Sequence, residues 1–65
     1  MKLVHKTGLV HEFDDETPEQ ILDWVKNNIY HNSSLLDKEL WRLSEDKTKI
    51  THETMVSYTE LTLQP

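Results

Sequence analysis

The 65-residue sequence has no cysteine, a single glycine, only two prolines and no long apolar run. Without cysteine there is neither a disulfide framework nor a thiolate metal site. A phosphate-cradling loop needs several glycines, and Gly8 stands alone. No stretch approaches the roughly 18 apolar residues of a membrane span, and the opening "MKLVHKTG" lacks the apolar region of a signal peptide. The expectation is a soluble, cytoplasmic chain with no membrane contact. In that setting Asn32-Ser33-Ser34, a match to the glycosylation sequon, reads as coincidence. Basic residues are also scarce, seven against twelve acidic, for a net charge of -5. Phosphate contacts need a basic stripe, so direct nucleic-acid binding is not expected.

What remains is lean but periodic. Apolar residues make up 35% of the chain, and their helical and strand spacings support one core with no room for a second. A domain this small, without disulfide or metal, has little margin of burial over chain entropy. A homodimer that hides further apolar surface is therefore an open alternative.

The opening "LVHKTGLVHEF" repeats Leu-Val-His six residues apart. A three-residue loop, Lys6-Thr7-Gly8, would place Gly8 at the left-handed position that closes a type I turn with a bulge. That hairpin, over about residues 2–13, pairs His5 with Leu9, Val4 with Val10 and Leu3 with His11. Leu3, Leu9, Phe13 and both histidines then share one face, with Val4 and Val10 on the other. One continuous strand would instead hold His5 and His11 about 20 Å apart, at ~3.3 Å per residue. The position of the only glycine favours the hairpin.

"DDETPEQILDWVKNNIYHN" reads as a helix over about residues 18–31. Thr17 is its N-cap, Pro18 its first residue and Gln20 the partner in a capping box. Asp14, Asp15, Glu16 and Glu19 surround the positive end of the helix dipole. Ile21, Leu22, Val25 and Ile29 form one apolar stripe, with Trp24 at its edge and Tyr30 roughly opposite. "LLDKEL" suggests a short helical turn capped by Ser34. Strands follow over about residues 40–63: a hairpin turning near Asp46-Lys47, pairing Leu43 with Ile50 and Trp41 with His52, then a tail "TMVSYTELTL". A two-residue Asp-Lys loop lacks the glycine that primed turns favour. In the tail, Met55, Leu61 and Leu63 are expected to face away from Val56 and Tyr58. Trp41 is expected to be buried on the sheet. The fold class is α+β: a small antiparallel sheet, made of an N-terminal hairpin plus two or three C-terminal strands, with one amphipathic helix packed on a face.

Little in this chain resembles reaction chemistry. "HEFDD" and "HETMV" each carry half of the helical zinc pattern, but Asp15 and Val56 stand where its second histidine belongs, and neither stretch is helical. His5, His11, His31 and His52 are read as strand and surface residues. The acids gather where capping explains them, and no serine sits in a nucleophile elbow. No catalytic, metal or cofactor site is expected. The expected function is a non-enzymatic protein–protein contact, with another protein or with itself. The surface would join Asp14, Asp15, Glu16 and Glu19 to Trp24, Tyr30 and His31, because interfaces favour exposed Trp and Tyr. The rival expectation is an inhibitor that mimics nucleic acid and blocks a basic-grooved enzyme.

Overall fold

A computed structural model describes residues 1–28 and 39–65. Among the described residues, five strands and one helix follow in the order β1 (Lys2–His5), β2 (Val10–Glu12), α1 (Pro18–Asn28), β3 (Trp41–Leu43), β4 (Lys49–Glu53) and β5 (Tyr58–Gln64). The fold is the α+β class expected. The strands form one antiparallel sheet in the order β2-β1-β5-β4-β3.

The first hairpin has the anticipated register, with Leu3 opposite His11 and Val4 opposite Val10. His5 N–H donates to the Leu9 carbonyl at 2.8 Å and Gly8 N–H to the His5 carbonyl at 2.9 Å, closing the three-residue loop. Gly8 has φ +94°, which an L side chain takes only with strain. The capping box is also formed. Gln20 Oε1 accepts from Thr17 N–H at 2.8 Å, and Thr17 Oγ1 accepts from Gln20 N–H at 3.2 Å. The helix end at 29–31 and the proposed turn at 35–40 lie outside the described residues, apart from residues 39 and 40.

Two details of the C-terminal half differ from the sequence expectation. The β3–β4 pairs are those anticipated, Trp41 with His52 and Leu43 with Ile50, but the loop has four residues. Ser44 N–H donates to the Lys49 carbonyl at 2.9 Å, and Lys47 N–H to the Ser44 carbonyl at 3.0 Å. Lys47 takes the left-handed conformation, φ 61°, so the turn needs no primed dipeptide. Met55 and Val56 are not strand residues sharing the faces of β5. They form the tip between β4 and β5, fully exposed at 103% and 95%. Thr54 stops the ladder here. Its Oγ1 accepts from the N–H groups of Val56 and Ser57, a side-chain turn that competes with strand pairing.

The two hairpin regions become one sheet because β1 pairs with β5, Leu3 opposite Leu63 and His5 opposite Leu61. Side chains alternate across a strand, so Leu3, Leu61, Leu63, Ile50 and Trp41 meet on the face that α1 covers. Ile21 and Val25 of the helix seat there, and among the described residues these seven are the buried core. Phe13, Leu22, Trp24 and Leu43 pack at its margin. The other face carries Lys2, Glu12, Lys49, Glu60, Thr51 and Thr62. It is mixed, with Val4, Val10 and Tyr58 among the polar side chains and a Lys49–Glu60 ion pair at 3.3 Å. Of the strands, β3 lies closest to the helix backbone. α1 itself therefore covers less of the sheet on the β1–β2 side.

Two substitutions test this account by urea denaturation. Leu61→Ala is expected to cost about 2–5 kcal/mol, as a buried leucine under a helix does. A methyl on Gly8 meets nothing within 4 Å, so Gly8→Ala reports backbone strain alone, a loss of about 1 kcal/mol. A stabilised Gly8→Ala chain would contradict the left-handed turn.

Candidate functional site

Because the helix lies toward β3, its opposite flank and the β1–β2 hairpin enclose two adjoining clefts. One, of about 450 Å³, is lined by Leu3, Leu9, Leu61 and Trp24, together with His5, Thr7, His11 and Asn28. The second, of about 590 Å³, runs between α1 and β2. Phe13, His11 and Trp24 are its aromatic lining, Glu16 and Asp23 its charges, and Glu12 of the edge strand with Gln20, Asn27 and Asn28 complete it. No basic residue other than histidine lines it among the described residues.

His11 and Trp24 border both clefts. The Trp24 ring meets Phe13 edge-on, with centroids 5.2 Å apart at 83°, and His11 at 4.9 Å and 59°. Edge-to-face contact aligns the positive ring edge with the negative ring face, so the three rings hold one another in place. Trp24 is half-buried and thus closes the core margin while presenting surface to both clefts. Trp41 is buried at 2% exposure, as expected, beside the His52 ring at 4.8 Å.

The echoed histidines share a face but do different things. His5 Nδ1 accepts from Thr7 N–H at 3.2 Å and lies 3.0 Å from Thr7 Oγ1. A backbone N–H can only donate, so Nδ1 is the acceptor here and the nitrogen turned to the loop is occupied. His11 packs instead on Trp24. Among the described residues no three His, Cys, Asp or Glu side chains form a metal-binding group.

The acidic helix start is divided. Glu16 lines the second cleft, and Asp14 and Asp15 are exposed on the connection before α1. Glu19 turns the other way and pairs with Lys47 of the β3–β4 turn at 2.5 Å. The Lys47 ammonium holds the Glu19 carboxyl below its ordinary value of 4.5. Asp46, in the same turn, is lowered from 3.8 by bonds from the Ser44 hydroxyl, then from the Thr48 hydroxyl and N–H. Tyr30 and His31, the remaining members of the expected surface, lie outside the described residues. Glu12, Asp23 and His11 belong to the cleft but were not singled out as contact residues in the sequence. Asp23 and Trp24 are adjacent on the helix, but only the position of β2 makes them walls of one groove.

No family model, curated protein or solved structure matches the chain.

The two lowered carboxyls set an acid limb of stability. A depressed folded pKa stabilises the fold above the unfolded value and loses that contribution as pH falls through the folded one. Asp46→Asn is therefore expected to be less stable than wild type at neutral pH. The gap should narrow as pH falls below 3.8, measured as urea midpoints across the acid range. A gap independent of pH would mean that the aspartate charge does not hold the turn.

Proposed function

We propose that this chain is a protein-binding domain that acts by occupying a partner's surface, with the acidic connection before α1 and the groove beside Trp24 as its contact region. One observation carries the reading. The groove between α1 and β2 joins two carboxylates, Glu16 and Asp23, to a half-buried aromatic cluster, with Glu12 at the edge strand that borders it. Glu12 has only a 3.9 Å approach from Lys2, with both side chains largely exposed. Such a pair contributes little and yields easily to a competing cation. Asp14, Asp15, Glu16 and Asp23 make no salt bridge among the described residues. The acidic surface therefore remains available to a basic partner, while Trp24 supplies the ordered, water-excluding contact on which interfaces depend.

The mimicry alternative would need carboxylates spaced along an extended face. Glu19 and Glu60 are engaged with Lys47 and Lys49, which favours a local contact over a continuous strip of negative charge.

The test is affinity capture from the source cell's lysate on wild type and on a D14N/D15N/E16Q chain. Both are washed at low and high salt, with bound proteins identified by mass. A partner held by wild type through moderate salt, and recovered about tenfold less on the variant, is the expected result. Equal recovery on both chains would overturn the acidic contact. A nucleic-acid enzyme held only at low salt would replace it with mimicry.

A further inference from the structure

We propose that the outer edge of β2 is a strand-docking site for an extended basic segment of a partner protein, which adds antiparallel to β2 and places an arginine in the groove below α1. The inference rests on the proposed binding function and specifies its partner and geometry.

The backbone register supplies the first argument. In an antiparallel pair, residues that exchange hydrogen bonds alternate with residues that do not. Leu9 and Phe13 bond to β1, through His5 N–H to the Leu9 carbonyl at 2.8 Å and Phe13 N–H to the Met1 carbonyl at 2.9 Å. His11, opposite Leu3, is in phase with them. Val10 and Glu12 therefore aim their N–H and C=O groups away from β1. Among the described residues β2 is the end of the sheet, with no strand beyond it. Four hydrogen-bonding groups thus face outward at the spacing a new strand requires. This edge contains no proline, and Val10 is 45% exposed.

The groove supplies the second argument. Directly opposite residues of paired strands point to the same face. An added residue opposite Val10 or Glu12 would lie on the open face of the sheet. The one opposite His11 would project beneath α1, into the groove bearing Glu16, Asp23 and Trp24. Two carboxylates and an indole surface are complementary to guanidinium, which bonds carboxylates in pairs and stacks on aromatic rings. A second copy of this chain fits poorly. It carries a net charge of -5, and its own β2 offers Val-His-Glu.

The experiment titrates the intact, isotope-labelled chain with capped Thr-Thr-Val-Arg-Val-Thr-Thr. Two comparison peptides replace the arginine by glutamate or carry N-methyl groups on both valines. The arginine peptide is expected to bind about tenfold tighter than the glutamate one and to slow amide exchange at Val10 and Glu12. N-methylation should abolish binding, because the two valines would pair with those residues. Val10→Pro removes only an outward N–H, which an edge strand tolerates, and should abolish binding while the sheet stays folded. Glu16→Gln with Asp23→Asn should remove the preference for arginine.

Failure to bind, or equal binding of the arginine and glutamate peptides, would overturn the proposal. So would binding that leaves Val10 and Glu12 exchange unchanged or survives N-methylation, although the acidic contact would then stand without strand addition. Protection of the same amides by raising the protein concentration alone would make a second copy the occupant and overturn the basic partner. Failure of the broader reading would show separately, as undiminished partner capture by D14N/D15N/E16Q.

Discussion

The pairing of β1 with β5 is the constraint on which the rest of this structure depends. It joins Lys2–His5 to Leu61–Gln64, the two ends of the chain, and sets Leu3 beside Leu63 in the middle of the sheet. Without it the N-terminal hairpin and the β3–β5 meander would each present a narrow apolar strip. Isolated hairpins of this size are marginal in water. Joined, they provide the surface into which Ile21 and Val25 fit with no residual exposure. The contact closes a loop of nearly the whole chain, an entropic cost that grows only slowly with length and is offset by burying the core.

The helix is tied at its start and asymmetric along its sides. The Thr17–Gln20 box satisfies donors that the first turn leaves free, and Glu19 reaches Lys47 across to the β3–β4 turn. That turn is built from side chains: Ser44, Asp46 and Thr48 bond one another and the loop backbone. Both features hold the β3 side of α1. On the β2 side the helix is held by ring packing of Trp24 on Phe13 and His11, with Glu16 and Asp23 beside the gap. The structural ion pair thus reaches toward the β3–β4 turn, while Glu16 and Asp23 border the groove. A partner could neutralise the groove carboxylates without competing for the Glu19–Lys47 bond.

The repeated Leu-Val-His tripeptide illustrates how one local pattern acquires two roles. Both copies belong to the same hairpin, and both histidines point to the helix side of the sheet. His5 is next to the turn and is taken up by Thr7. His11 is one strand further out, where the approach of α1 turns it into a ring contact for Trp24. Their difference comes from what the helix covers, which the tripeptide cannot encode.

Local chemistry was legible in the residues. Gly8 located the first turn and its register, Thr17-Pro18 and Gln20 the helix start, and Ile21 and Val25 its buried stripe. The alternation around Asp46-Lys47 located the β3–β4 pairs. Each depends on backbone geometry and hydrogen bonds within a few residues, so the order of side chains suffices. The length of that loop is not legible in the residues, because Lys47 takes a left-handed conformation without being glycine. Nor is the exposed tip at Met55 and Val56, because Thr54 bonds the backbone in place of a strand neighbour. Strand order, the β1–β5 seam, the Trp24 cluster and the groove beside β2 were decided only by tertiary structure. These join residues distant in the chain, and their arrangement follows from which apolar faces can be buried together, a property of the assembled sheet and helix.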